Sequence, residues 1–128
     1  MNTDGIIDPV MGLLAKAMDA YSTRHKVISN NIANVDTPGY KRSYVEFERQ
    51  LAGLVGEDGK SRDTEAVEAL KPRVEVDRAT ASRYDGNNVN IDQEMSELAK
   101  NTISYNAAAA LMKAKVSMMV HVISEGRR

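Results

Sequence analysis

The chain has 128 residues, with 17 basic and 18 acidic side chains and a formal net charge of −1. This balance lacks the basic excess of a nucleic-acid-binding protein and the polybasic patch of a membrane-surface protein. There is no cysteine, which excludes disulfides and thiolate metal sites, and aromatic residues make up only 5% of the chain. So few aromatics disfavour a large globular core, and the length suggests one domain or one elongated unit.

The first residues do not resemble a secretory leader. Residues 1–8 have neither a basic region nor a long apolar run, so we expect a short N-terminal tail and no cleaved signal peptide. The longest wholly apolar run, 107–112, is too short to cross a bilayer, and we expect a soluble protein.

Residues 9–35 are predicted to form an N-terminal helix. Asp8 and Pro9 are typical of an N-cap followed by the first helical position. Seam residues then recur at alternating intervals of three and four, and seven of the eight are apolar, which indicates a coiled-coil seam. The N-helix seam comprises Met11, Leu14, Met18, Tyr21, His25, Ile28, Ile32 and Val35.

A turn is predicted directly after this helix. Proline disfavours helical geometry in the residue before it, and Pro38-Gly39 is a turn dipeptide in which glycine accepts a positive φ. The turn should fix the angle at which the chain leaves the helix. Asn34 has two open interpretations, a helix C-cap in left-handed geometry or a hydrogen-bonding residue at an assembly interface. The turn motif comprises Ala33, Asn34, Thr37, Pro38, Gly39, Tyr40, Lys41 and Arg42.

Residues 36–88 are predicted to be the turn and an irregular middle segment. Residues 41–88 hold 19 of the 35 charged side chains and are interrupted by glycines. Residues 44–48 could begin a short helix or strand, and residues 74–77 alternate like a half-buried strand with solvated carboxylates. Residues 56–65 are expected to form a mobile loop.

Residues 89–126 are predicted to form the C-terminal helix. Asn90 and Gln93 suggest a capping box, and acidic residues suit the positive start of a helix. The C-helix seam comprises Ile91, Met95, Leu98, Thr102, Tyr105, Ala109, Met112, Val116, Met119 and Ile123. The predicted fold is mainly α, with the two terminal helices paired as a coiled coil and a middle segment that could hold a small β element.

The second helix is too apolar for a helical pair to cover. Between Leu98 and Ser124 the only charged residues are three lysines, and residues 107–110 are all alanine. Exposed apolar surface of this extent marks a protein interface. We therefore expect the terminal helices to be buried by neighbouring copies, and the ends of the free subunit to be loosely folded.

No catalytic, cofactor-binding or metal-binding site is predicted. His25 and His121 lack spaced partners and are interpreted as packed or edge-facing side chains. Asp92, Glu94 and Glu97 are attributed to helix-start charge. An enzyme, a cofactor and a small-molecule substrate are therefore not expected.

Both ends of the chain resemble the bacterial flagellar axial proteins, the rod and hook components. The first resemblance lies in residues 28–34 and 37–42, which include Ala-Asn-x-x-Thr-Pro-Gly-Tyr. The second lies in residues 88–92, 94–95 and 98–101 and in Tyr105. The short middle segment resembles that of proximal-rod members.

The resemblance implies a structural subunit of the basal-body rod that self-assembles through its terminal helices, transmits motor torque and serves motility. It also implies export by the flagellar type III system into the periplasmic space without a cleaved signal peptide. The implied partners are other copies, other rod proteins, the adaptor FliE, and the export gate or inner-membrane ring, with no nucleic acid. Alternatives are another short, FlgC-like rod subunit and a helical-hairpin secretion chaperone or adaptor.

Overall fold

The described part of the chain consists of two long helices, two short helices and a two-stranded antiparallel sheet, which we call the β-hairpin. The computed structural model describes residues 9–56 and 64–126. The elements are α1 (Pro9–Ala33), β1 (Ser43–Glu46), α2 (Glu48–Ala52), α3 (Thr64–Ala69), β2 (Arg73–Val76) and α4 (Ile91–Gly126). The mainly α prediction with a small β element is confirmed. The predicted tail, residues 57–63 of the predicted loop and residues 127–128 lie outside the described residues.

The long helices α1 and α4 lie antiparallel along each other. The Asn31 side-chain amide donates to Glu94 Oε2 over 3.1 Å, and the Asn101 amide donates to the carbonyl oxygen of Tyr21 over 2.8 Å. The contact on α1 therefore moves backwards as α4 advances. These contacts establish an antiparallel helical hairpin.

The face that α4 turns towards α1 is narrow and partly polar. Its buried residues are Glu94, Asn101 and Ala108, which lie seven residues apart. Their spacing is that of a heptad position, but none belongs to the predicted C-helix seam. Small or hydrogen-bonding side chains on this face allow the two backbones to approach closely, and the bulky side chains lie beside or opposite it.

The predicted seams lie at the margins of this contact. In the N-helix seam Ile28 is buried, His25 is exposed, and Met11, Leu14, Met18, Tyr21, Ile32 and Val35 are half-buried, with Val35 beyond the end of α1. In the C-helix seam Leu98, Ala109, Met112 and Met119 are half-buried, whereas Ile91, Met95, Thr102, Tyr105, Val116 and Ile123 are exposed. The exposed members need a further surface to be covered.

The middle segment packs on α1. Strands β1 and β2 pair antiparallel, with Val45 opposite Val74. Val45 and Phe47 join Ala20 and Val27 of α1 in a small core, and Phe47 is only 2% exposed. The single phenylalanine of the chain thus anchors the hairpin to the long helix.

Strand β2 differs from its prediction in which side chains it buries. Val74 and Val76 are exposed, whereas Asp77, just after the strand, is half-buried. The expectation that Asp77 is solvated is wrong, because its carboxylate accepts hydrogen bonds from its own turn and from Arg42.

Helix α4 is long and apolar enough to cross a membrane, judged by length and composition alone. The search for an uninterrupted apolar run did not find this helix, because its lysines divide the apolar sequence into shorter runs. Only 6% of its most apolar stretch is buried within the chain. This stretch is therefore available to other molecules.

Candidate assembly junction at the base of the hairpin

The turn after α1 is held against the segment that leads into α4. Gly39 has a φ of 75° and Gly86 a φ of 84°, a region that suits glycine. The Gly39 N–H donates to the carbonyl oxygen of Asp85 over 2.8 Å. A Cβ added at Gly86 would lie 3.3 Å from the Gly39 Cα atom. The two backbones are therefore in direct contact, as only glycine at position 86 permits without displacement.

The end of α1 is capped by residues about fifty positions later in the chain. The side-chain amide of Asn87 donates to the carbonyl oxygens of Asn34, Val35 and Thr37 over 2.8, 3.1 and 2.9 Å. Arg83 also donates to the Val35 carbonyl oxygen. The turn has main-chain hydrogen bonds of its own, from the Thr37 N–H to the Asn34 carbonyl oxygen and from the Tyr40 N–H to the Thr37 carbonyl oxygen. The donors from Asn87 and Arg83 add to these bonds and tie the turn to the loop before α4.

Of the two interpretations of Asn34, the left-handed helix C-cap is wrong, and the hydrogen-bonding residue at an assembly interface stays a prediction. No described residue other than glycine has a positive φ, so Asn34 is not left-handed. Its side-chain amide instead donates to the Asn30 carbonyl oxygen over 2.8 Å, and its Oδ1 accepts from the Thr37 hydroxyl over 3.1 Å. Asn34 thus supports the turn from within the subunit.

Asn31 lies at the centre of the junction and is fully buried. Its amide donates to the Ser43 carbonyl oxygen over 2.7 Å and to Glu94 Oε2 over 3.1 Å. Its Oδ1 accepts from the Ser43 N–H over 2.9 Å and from the Tyr40 hydroxyl over 3.2 Å. One side chain therefore joins α1, the turn motif, β1 and α4.

Arg42 holds the charge of the junction in place. Its Nε donates to Glu94 Oε1 over 2.7 Å, and its Nη1 lies 3.2 Å from Asp77 Oδ2. Glu94 is completely buried. A buried carboxylate is costly unless it is paired and hydrogen-bonded, and Arg42 and Asn31 supply both requirements.

The pKa values report this environment. Burial acts to lower the pKa of Arg42, but the hydrogen bond and charge of Glu94, followed by those of Asp77, raise it overall. Burial, and then the negative charge of Glu94, raise the pKa of Tyr40. Hydrogen bonds from the Thr80 hydroxyl and backbone, with smaller contributions from Ala79 and Arg42, lower the pKa of Asp77.

The remaining contacts attach the turn motif to the loop before α4. Lys41 Nζ donates to Ser82 Oγ over 2.5 Å and to the carbonyl oxygen of Gly86. Asn88 accepts from the Arg42 N–H and donates to the Asp77 carbonyl oxygen, each over 2.7 Å. The motif is therefore divided in two parts. One part is half-buried and comprises Asn34, Tyr40, Lys41 and Arg42. The other part is exposed and comprises Ala33, Thr37, Pro38 and Gly39.

Sequence reasoning did not assign Glu94, Asp77, Asn87 or Arg83 to this site. Glu94 lies in the first turn of α4, as its attribution to helix-start charge predicts, but it is also buried against Arg42, which that attribution does not predict. A signal was present, since Glu94, Asn101 and Ala108 repeat every seven residues. Among the described residues, no group of three or more histidines, aspartates and glutamates could hold a metal ion.

Comparison with known proteins identifies the family. The family model for the flagella basal body rod protein matches residues 13–41. The flagellar basal body rod protein FlgB of Bacillus subtilis is 34% identical over 125 residues, which cover 89% of this chain and 92% of that protein. FlgB of Borrelia hermsii is also 34% identical, over 79% of this chain and 85% of its own length. The chain belongs to the FlgB family of flagellar basal-body rod proteins.

Membership of the FlgB family gives the junction its context. FlgB of Aeromonas hydrophila is 28% identical over 91% of this chain and 93% of its own length, so the likeness spans both helices and the middle segment. The family is structural, which makes this FlgB-family chain a rod protein and not an enzyme. The FlgC-like and chaperone alternatives are not favoured. The part matched by the family model, residues 13–41, includes Asn31 and Tyr40 of the junction.

Proposed function

We propose that this chain is a proximal-rod subunit whose α1–α4 hairpin packs lengthwise against other copies and other rod proteins. The polymer so formed is the axial shaft that carries torque. One observation supports this proposal above the others. Helix α4 carries a long apolar stripe of exposed side chains, and nothing within the described chain covers it.

This outer stripe follows the helical repeat, with successive members three or four residues apart. It comprises Ile103, Ala107, Leu111, Ala114, Met118 and Val122, all of them exposed. Ile103 is 69% exposed and Val122 68%. Isolated exposed apolar residues are ordinary, whereas a contiguous stripe of this length marks a surface that binds protein.

The predicted seams enter the proposal as flanks of the same surface. Met95, Val116 and Ile123 are each about half exposed and border the packed face of α4. In an assembly, the seams of neighbouring hairpins would interlock while the outer stripe meets a further subunit. A helix that is apolar on several sides suits burial among several neighbours.

The junction supplies rigidity in this proposal. Asn31 and Asn87 have their side-chain donors and acceptors bonded, and the charge of Glu94 is paired. Hydrogen bonds are directional, so this network fixes the angle between the hairpin and the middle segment more strictly than apolar contact would. A torque-bearing subunit requires such a fixed angle.

We further propose that the chain travels through the flagellar type III export channel without a cleaved signal peptide and assembles in the periplasmic space. FliE and the export gate or inner-membrane ring would be its neighbours at the base of the rod. The small apolar core supports this route, because a core limited to residues such as Val27, Val45 and Phe47 is easily unfolded for passage through a narrow channel.

The test replaces one residue of the outer stripe in cells that lack the chromosomal copy. Leu111→Asp should abolish rods and motility, because it places a charge in an apolar interface, while secretion of the subunit continues. Asn106→Asp is the matched control, since it adds the same charge to the same helix at an exposed polar position. Rods are counted by electron microscopy, and the purified subunits are compared by urea denaturation.

We expect the two purified variants to unfold within about 0.5 kcal/mol of the parent, because both positions are exposed in the free chain. Full-length rods built from the Leu111→Asp subunit would contradict the proposal. If cells with the Leu111→Asp variant form normal rods, but the purified variant no longer binds lipid vesicles that the parent subunit binds, α4 faces a membrane instead.

A further inference from the structure

The two edges of the β-hairpin are finished differently. The outer edge of β1 is covered by side chains of α1. Ser43 exchanges two hydrogen bonds with the Asn31 side chain, and the Val45 carbonyl oxygen accepts from Arg24 Nη2 over 3.1 Å. Helix α1 thus satisfies the main-chain groups that β1 would otherwise present to another strand.

The outer edge of β2 has no such cover among the described residues. The Asp77 N–H donates to the Arg42 carbonyl oxygen over 2.8 Å, which sets the ladder so that alternate residues of β2 bond to β1. The N–H and C=O groups of Val74 and Val76 therefore point away from β1. No partner for them is found in residues 9–56 and 64–126.

The two residues whose main-chain groups point out from this edge have apolar side chains. Val74 is 49% exposed and Val76 46%. They share a face of the sheet with Ser43 and Val45, so an added strand would extend the surface that packs on α1. Pro72, which has no N–H, limits the edge on one side, and the Asp77–Thr80 turn limits it on the other.

Positive charge flanks the same edge. Lys71 and Arg78 are exposed at its two ends, and neither forms an ion pair within the described residues. Arg73 pairs with Glu75 over 3.6 Å on the strand itself, and Asp77 is engaged by Arg42. A strand that lies along β2 therefore meets uncompensated positive charge at both ends.

We propose that β2 binds an extended segment of a different protein chain by main-chain hydrogen bonding. The segment carries alternating apolar side chains, which lie beside Val74 and Val76, and acidic residues at its ends, which pair with Lys71 and Arg78. A second copy of β2 fits poorly, because either orientation brings the basic ends of the two strands together. The inference rests on the proposed rod assembly, since both measurements below use rods.

The first measurement is hydrogen exchange of the full chain, free and in rods isolated from cells. In the free chain the amides of Val74 and Val76 should exchange faster than that of Glu75, which bonds to β1. In rods the two valine amides should exchange at least about tenfold more slowly than in the free chain. Equal exchange in both states would overturn the proposal.

The second measurement uses Val76→Pro and Val76→Thr. Proline removes an outward N–H and leaves the β1–β2 bonds of Arg73, Glu75 and Asp77 in place, whereas threonine keeps both the N–H and the branched side chain. We expect Val76→Pro to reduce rod number at least about tenfold and Val76→Thr to leave it unchanged. Hydrogen exchange at Tyr44 in the free variants verifies that the hairpin still forms.

The outcomes separate this inference from the proposed function. Normal rods with Val76→Pro, but none with Leu111→Asp, overturn the edge contact and leave rod assembly intact. A photo-cross-linker at position 76 then identifies the occupant in rods. A cross-link to an acidic-flanked extended segment of another protein supports the proposal, and a cross-link to a second copy overturns it.

Discussion

The base of the helical hairpin and its far end differ in what they require from their surroundings. At the base, Glu94, Asn31 and Asn87 are buried and bonded within the subunit. At the far end, residues 116–126 of α4 continue past Pro9, the first described residue of α1, and present apolar side chains outward. Asn101 lies between them, with its amide bonded to Tyr21 and its Oδ1 buried without a partner among the described residues.

The difference shows that one chain can fix its geometry at one end and leave apolar surface uncovered at the other. Directional hydrogen bonds fix the base, because each donor and acceptor has a required position. Apolar contact at the far end is non-directional and depends on area, so the neighbour that covers it can be supplied by another subunit. In the proposed assembly, the subunit fixes the angle at its base by itself, and other subunits bury its far end.

The largest expected effect comes from removing the buried carboxylate at the base of the hairpin. Glu94→Ala leaves Arg42 half-buried with Asp77 as its remaining partner, and the loss of one member of a buried ion pair costs about 3 kcal/mol. Urea denaturation of the purified subunit, followed by circular dichroism, measures this free energy. Glu97→Ala is the control, since Glu97 is half-exposed on the same helix and should cost less than about 1 kcal/mol. Equal costs for the two variants would contradict the assignment.

A smaller effect is expected at the cap of α1. Asn87→Ala removes the amide that donates to three carbonyl oxygens of the turn and the Oδ1 that accepts from the buried Val89 N–H, and leaving that N–H unpaired costs about 2 kcal/mol. Asn106→Ala, at an exposed position of α4, should change the free energy of unfolding by less than about 0.5 kcal/mol. Faster amide exchange at residues 34–37 should accompany the Asn87 variant alone. Unchanged exchange there would show that Asn87 does not hold the turn.

The smallest effect concerns the pH dependence of the base. Since folding lowers the pKa of Asp77 below its ordinary value of about 4, its stabilising contribution is complete above about pH 5. The contribution is lost as the pH falls towards the folded pKa. The free energy of unfolding should therefore fall with pH below 5 by up to about 1.4 kcal/mol per pH unit from this group.

Asp77→Asn should flatten this dependence, as measured by urea denaturation at a series of pH values. Thr80→Val should give an intermediate slope, because the Thr80 hydroxyl is the largest cause of the lowered pKa. Parallel curves for the parent and Asp77→Asn below pH 4 would refute the role of Asp77.

Local patterns predicted the elements well and their contacts poorly. Helix α1 ends at Ala33, two residues before the predicted boundary, because the turn begins at Asn34, and α4 begins at Ile91 after the predicted Asn90 cap. The positive φ of Gly39 follows from its dipeptide. The pairing of Arg42 with Glu94 joins residues 52 positions apart, which no local periodicity encodes. The short helix α3 also lay within a segment whose charge suggested irregular structure.

The seams illustrate the same limit. The heptad pattern predicts that the seams form the surface between α1 and α4, but the residues that α4 buries are Glu94, Asn101 and Ala108. Spacing alone does not distinguish an apolar stripe that faces the partner helix from one that faces a neighbouring subunit. Only the position of the polar residues, which require specific partners, resolves the choice.

The contact between Gly39 and Gly86 has a mechanical consequence. The two backbone segments that leave the hairpin, one from each long helix, touch at this point and are joined by the Gly39–Asp85 hydrogen bond. A force that reaches one of these connections is therefore also transmitted to the other, and through it to both long helices. In a rotating shaft assembled from such subunits, both helices would bear the load together, and neither would separate from the assembly before the other.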